Sequence, residues 1–269
     1  MNERTTLNAT IDFSGRTVLV TGGTKGIGFV IAERFLAAGA EVAVCGRNEP
    51  NVLPGAAGRT ARFLPADIRD AAAAAALVED VVAEFGRLDV LVNNAGGSPD
   101  ADAATVSPRF VRRVVDLNLL APFYVAQPAN KVMREQKTGG SIINIGSVSA
   151  HDPQPGTAAY SAAKAGLLVL TRALALEWSP RVRVNHITTG LIRTEAAAHI
   201  YGPDEGASVA EVIPMGRMAV PGDVADTCLY LASDLASYVT GADIAVHGGG
   251  EIPARYLAAR QLGGSAPSR

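Results

Sequence analysis

Thr17-Val18-Leu19-Val20-Thr21-Gly22-Gly23-Thr24-Lys25-Gly26-Ile27-Gly28 is the stretch whose reading decides the fold. Thr17 to Val20 is a short, unbroken apolar run bounded by Gly15 and Gly22, the pattern of a strand buried on both faces of a parallel sheet. Beyond the glycines, Ile27, Val30, Ile31, Phe35 and Ala38 fall on one stripe of a helix that Gly39 ends. In this strand–loop–helix setting, Gly22, Gly26 and Gly28 permit a tight turn, close approach of the backbone to a pyrophosphate, and close helix–strand packing. The helix N-terminus offers unpaired N–H groups to the anion. The alternative is a turn that merely needs glycines. No G-x-x-x-x-G-K-[ST] loop threads through the segment, which argues against a nucleoside triphosphatase.

Working outward, the next strand, Glu41 to Cys45, ends in Gly46-Arg47-Asn48, where a dinucleotide fold meets the adenosine ribose. No carboxylate stands there to hold a free 2′-hydroxyl, whereas Arg47 and Lys25 supply the cations that a 2′-phosphate needs. This favours NADP(H), with NAD(H) as the alternative, unless both side chains are simply solvated. A third strand, Ala61 to Pro65, leads to Asp67-Ile68. Asp67 there either accepts from an adenine amino group or, like Asp70, caps a helix. Ala71 to Phe85 is a crossover helix by propensity. Leu88 to Val92 is a fourth strand, followed by the loop Asn93-Asn94-Ala95-Gly96-Gly97, where backbone can approach a flat ring. Pro108 to Arg134 reads as one long helix bent at Pro122 and Pro128. Asn118 within it either sits at a kink with its carbonyl free for water or is surface-exposed.

The fifth strand, Ser141 to Gly146, delivers Ser147 to a loop. After the proline-rich turn from His151 to Gly156 comes Tyr160-Ser161-Ala162-Ala163-Lys164, with phenol and ammonium on one helix face separated by about 6 Å of rise. Hydride transfer to a carbonyl leaves an alkoxide that must take a proton, and a Tyr with an ordinary pKa near 10 serves poorly at pH 7. Bringing it to about 7 takes roughly 4 kcal/mol. A cation 4 Å away at an effective dielectric of 20 supplies about that much. Lys164 is adequate to the task, and Ser147 can donate to the substrate oxygen.

The chain has 269 residues, 48% of them hydrophobic, a net charge of −2 and a pI near 6.1. It is read as a single domain, 1–269, with no basic patch for nucleic acid or anionic membrane, so its partner is a small molecule. No apolar run is long enough to span a bilayer, and the polar stretch 1–13 does not read as a signal peptide. Cys45 and Cys228 read as reduced core thiols, which suits a cytoplasmic protein. His151, His186, His199 and His247 lack ligand-like spacing, so no metal is expected.

Five motifs in order and spacing resemble the short-chain dehydrogenase/reductase family over Gly15 to Gly250: T-G-x-x-x-G-x-G from Thr21 to Gly28, Asp67, N-N-A-G from Asn93 to Gly96, Asn118 with Ser147, and Y-x-x-x-K from Tyr160 to Lys164. The resemblance implies an α/β, three-layer, doubly wound Rossmann-type fold with a seven-stranded parallel sheet, assembled as a homotetramer or homodimer. It implies Ser147, Tyr160 and Lys164 as catalytic residues, with Asn118 holding a water that links Lys164 to solvent. The implied cofactor contacts are Gly22, Thr24, Lys25, Gly26, Ile27, Gly28, Arg47, Asp67, Ile68, Asn94, Ala95, Gly96, Tyr160, Lys164, Gly190, Ile192 and Thr194. Residues 191–213 resemble the substrate lid, and 251–269 form a tail. One departure is Thr189-Gly190 where the family has Pro-Gly, which leaves less rigidity expected beside the nicotinamide. The implied reaction is hydride transfer between the cofactor and a carbonyl or secondary alcohol. Reduction of a conjugated carbon–carbon bond is disfavoured, because that branch spaces its Tyr and Lys further apart. A non-catalytic dinucleotide sensor is the remaining rival.

Overall fold

The computed structural model describes residues 11–195, 204 and 206–253. Residues 1–10 of the polar tail, 254–269 of the C-terminal tail, and 196–203 and 205 of the lid, with His199, Ile200 and Tyr201, lie outside the described residues.

Seven strands pair in parallel: β1 (Thr17–Thr21), β2 (Glu41–Gly46), β5 (Arg62–Pro65), β6 (Val90–Asn93), β7 (Gly140–Ile145), β8 (Val182–Thr189) and β9 (Asp243–Val246). Their order across the sheet is β5-β2-β1-β6-β7-β8-β9. A small antiparallel hairpin of β3 (Gly55–Ala56) and β4 (Arg59–Thr60) stands apart and was not anticipated from the sequence. Strand side chains alternate between faces, so β1 sends Val18 and Val20 to one core and Leu19 to the other. The first core is covered by α1 (Gly26–Ala37) and α7 (Pro221–Ala232), through Ile31, Phe35, Val224 and Leu231. The second lies under α2 (Ala71–Phe85), α4 (Ala121–Glu135) and α5 (Ala158–Trp178), through Leu77, Val125 and Leu174. The two buried faces explain why these strands read as continuous apolar runs. A one-turn helix, α6 (Ala207–Ala210), lies within segment 191–213.

The long helix expected from Pro108 to Arg134 is divided. α3 (Pro108–Val115) gives way to a π-helical turn, Asp116–Leu120, before α4 begins. The interruption therefore falls at Asn118 and not at the prolines. Asn118 is fully buried, which removes the surface-exposed alternative. Its amide reaches out of the helix to backbone: Oδ1 accepts from Gly97 N at 2.8 Å, while Nδ2 donates to Gly97 O at 3.0 Å and to Val114 O at 2.9 Å. A wider turn at a functional segment is a recurrent use of π geometry.

The chain reverses its direction of travel across the sheet between β1 and β6, and the crevice outside the carboxyl ends of such strands is where an open α/β sheet binds ligands. The glycine loop after β1, the N-N-A-G loop after β6 and Ser147 after β7 all emerge at that edge.

Candidate active site

The crevice holds a cleft of about 740 Å³, bordered by the glycine loop, Arg47, Asp67, Ala95 and Thr194. Its floor exists because side chains are missing. Gly22 and Gly26 have φ of +63° and +55°, in the left-handed region that favours glycine. A Cβ at Gly28 would collide with Gly22 O and with the Asn94 amide. Asn94 pins the two loops together: its Nδ2 donates to Thr21 O at 2.9 Å, and its N–H, with that of Ala95, donates to Thr21 Oγ1 at 3.0 and 3.1 Å. A glycine cradle opening on the N-terminus of α1 fits the pyrophosphate of a dinucleotide.

At the adenosine end, the exposed side chains of Lys25 and Arg47 border the cleft. Asp70 is the cap of α2, accepting from Ala73 N at 2.8 Å, so that role does not fall to Asp67. Asp67 is instead gripped by Arg69, through Nε at 2.8 Å and Nη2 at 2.5 Å, and Arg69 holds its carboxyl below the usual range. The sequence reading missed Arg69 as a third cation of this cleft, although it stands only two residues beyond Asp67. Ile68 is buried beside it.

At the other end, Tyr160 lies in the first turn of α5 and Lys164 one turn on, with Nζ 5.7 Å from the centroid of the Tyr160 ring. Lys164 is buried, and desolvation pulls its pKa down to about 8. Its Nζ donates to Ile145 O at 2.8 Å, tying α5 to the last residue of β7, two residues before Ser147. Ser147 caps a 3₁₀ turn (Val148–Ala150), its Oγ accepting from Ser149 N at 3.2 Å. A Cβ at Gly96 would lie 2.9 Å from Asn118 Oδ1 and 3.2 Å from Lys164 Nζ, so amide and ammonium flank one point. Lys164 and Asn118 thus meet beside Gly96, which lines the cleft, and Lys164 is tied to the strand that carries Ser147.

The loss of rigidity expected at Thr189 is not what the structure presents. β8 continues through Thr189, whose Oγ1 donates to Gly146 O at 2.8 Å, and Gly190 N donates to Val246 O at 3.0 Å. The Thr189 hydroxyl thus makes a hydrogen bond that a proline at this position could not. Ile192 is buried and bridges to Ala219, and the Thr194 methyl would be 3.9 Å from a Cβ at Gly26, which closes this segment over the glycine loop.

The histidines are also not as isolated as their spacing suggests. Asp243, on β9, receives His186 Nδ1 at 2.8 Å, His151 Nε2 at 3.0 Å and Thr188 Oγ1 at 2.7 Å. Burial pushes the Asp243 carboxyl up, but the bonds from Thr188 and His186 outweigh it and leave the group below its usual range. Burial lowers the pKa of His186 despite that carboxylate. These groups lie up to 92 residues apart, beyond any local signal. Among the described residues, no three of His, Cys, Asp or Glu are arranged to hold a metal ion.

A family model described as enoyl-(acyl carrier protein) reductase matches residues 22–251. The 3α-hydroxysteroid dehydrogenase of Mediterraneibacter gnavus is 36% identical over 241 residues, 87% of this chain and 96% of that protein. The D-threitol dehydrogenase of Mycolicibacterium smegmatis is 35% identical over 258 residues, 93% of this chain and 98% of that one. A crystal structure of a short-chain type dehydrogenase/reductase from Mycobacterium marinum superposes with a TM-score of 0.82 at 34% identity, covering 91% of this chain and 98% of the other. With the glycine cradle, the parallel sheet and the Tyr160–Lys164 pair already in place, these likenesses mean that the chain belongs to the short-chain dehydrogenase/reductase family of nicotinamide-dependent oxidoreductases.

Proposed function

We propose that the chain is an NADP(H)-dependent enzyme, one domain over 1–269, that interconverts a carbonyl and a secondary alcohol. The observation that carries this reading is the buried Lys164 ammonium beside the Tyr160 ring, hydrogen-bonded to the end of the strand that presents Ser147. When bound, the nicotinamide supplies or accepts the hydride. Tyr160 gives its proton to the alkoxide oxygen as the carbonyl is reduced and takes it back in oxidation. Lys164 stabilises the phenolate left behind, and its low pKa keeps the proton exchangeable near neutral pH. Ser147 donates to the substrate oxygen, and Asn118 positions the water through which Lys164 recovers a proton. A spacing of four residues between Tyr and Lys favours carbonyl over conjugated-alkene reduction.

Arg47, Lys25 and Arg69 support a 2′-phosphate, and neither Arg47 nor Asn48, the two residues directly after β2, is a carboxylate that could hold a free ribose hydroxyl. Arg47→Asp is therefore expected to move the ratio of kcat/KM for NADPH over NADH toward NADH by about 10- to 100-fold. An unchanged ratio in steady-state assays with both cofactors would return the choice to NAD(H).

Two further features bear on assembly and setting. α5 is the one described helix long and apolar enough to cross a membrane, yet its inner face packs on the sheet while Val169 and Leu176 stand 63% and 85% exposed. That outer stripe suits a second copy of the chain, in a homodimer or homotetramer. Both cysteines are free and buried, with the Cys45 thiol pushed up to about 12, as suits a cytoplasmic protein.

A further inference from the structure

A second cavity of about 600 Å³ opens beside Val148, the neighbour of Ser147, and the Gly190-Leu191 segment. Its polar wall is His151, Asp152, Gln154, Thr188, Asp243, His247 and Glu251, and no lysine or arginine lines it among the described residues. A wall whose described residues carry carboxylates and no cation disfavours phosphate-bearing substrates and is well supplied with acceptors for hydroxyl groups. His151 is held in place in this wall by two partners. Its Nε2 is held by Asp243 at 3.0 Å and by Thr188 at 3.3 Å, while the side chain remains 43% exposed. An ionised carboxylate fixes the proton on Nε2, which leaves Nδ1 as an acceptor with no hydrogen-bond partner among the described residues. The 3₁₀ turn between Ser147 and His151 sets their backbones about 8 Å apart at 2 Å of rise per residue. That interval suits a substrate whose oxygen meets Ser147 while a hydroxyl a few bonds away meets the imidazole. The cavity wall also contains an unpartnered buried atom, His247 Nδ1.

We propose that His151, oriented by Asp243 and Thr188, is a specificity-determining residue that receives a second hydroxyl of a neutral, polyhydroxylated ketone or alcohol. This rests on the carbonyl–alcohol reading above and deepens it. Asp243 and Thr188 act through His151 as positioning residues.

The test compares NADPH-dependent reduction of erythrulose and butanone, which share a carbon skeleton and a ketone and differ in hydroxyl groups. The wild-type protein is expected to prefer erythrulose. In His151→Phe, the ratio of kcat/KM for erythrulose over butanone should fall by about tenfold or more, carried by KM, as expected for loss of one ligand hydrogen bond. His151→Gln, which keeps an acceptor, should recover part of the ratio. Asp243→Asn should lower it by loosening the hold on His151, and should move the pH profile of KM. An unchanged ratio in both His151 variants would overturn the proposal, as would a wild-type preference for butanone. Turnover of a sterol ketone or an acyl thioester with neither of these ketones reduced would overturn it while leaving the reaction class intact. Absence of turnover on every carbonyl would instead defeat the reading on which it rests.

Discussion

Tyr160→Phe lowers kcat for carbonyl reduction by about 10²- to 10⁴-fold, the ordinary worth of a positioned general acid, while the affinity for NADPH changes little. The phenol oxygen is the one atom removed. The ring stays in the first turn of α5, with Lys164 Nζ 5.7 Å from its centroid. Turnover and calorimetric NADPH titration on the same preparation separate the two quantities. Near-wild-type turnover in the variant would remove Tyr160 from the chemistry, whereas loss of both activity and binding would indicate a damaged site.

Lys164→Met has the second large expected effect, and it reads out twice. Without the ammonium, the Tyr160 phenolate loses the charge that stabilises it, so kcat for alcohol oxidation at pH 7 falls about 10³-fold and recovers as pH is raised. The second readout is stability. The lysine ionises at about 8 when folded against 10.5 as an ordinary side chain. Between those values the unfolded chain binds more protons than the folded one, so wild-type stability rises with pH relative to the variant across that window. Below about pH 8 and above 10.5 the difference is flat. Urea unfolding at a series of pH values measures it; parallel stability curves for the two proteins would show that the buried ammonium is not strained by desolvation.

What the sequence disclosed and what it withheld follow a physical division. The strands were legible because a sheet covered on both faces demands unbroken apolar runs, and Val18, Leu19 and Val20 serve two different cores. The glycine loop was legible because Gly22 and Gly26 occupy backbone conformations that other residues resist. Tyr160 and Lys164 were legible because helical spacing is local. The π turn at Asn118 was not, since it depends on an amide bonding to Gly97, 21 residues away, and not on the prolines that draw the eye. Nor was the meeting of His151 and His186 at Asp243, which only the pairing of β8 with β9 brings about. Thr189 was read as a loss because it replaces a rigid ring, yet its hydroxyl makes a hydrogen bond to Gly146 that a proline could not. Arg69 was overlooked because a cation next to an acid reads as a surface pair until the fold places both in the cofactor cleft.

The central claim is that this cleft performs hydride chemistry on a carbonyl and does not merely hold a dinucleotide. Following nicotinamide absorbance for the wild-type protein with NADPH, across hydroxyketones, simple ketones, sterol ketones and acyl thioesters, tests it most directly. The account predicts steady NADPH consumption with at least one of these classes and its loss in Tyr160→Phe. Tight NADPH binding with no consumption on any class would contradict it and identify a nucleotide-sensing protein in its place.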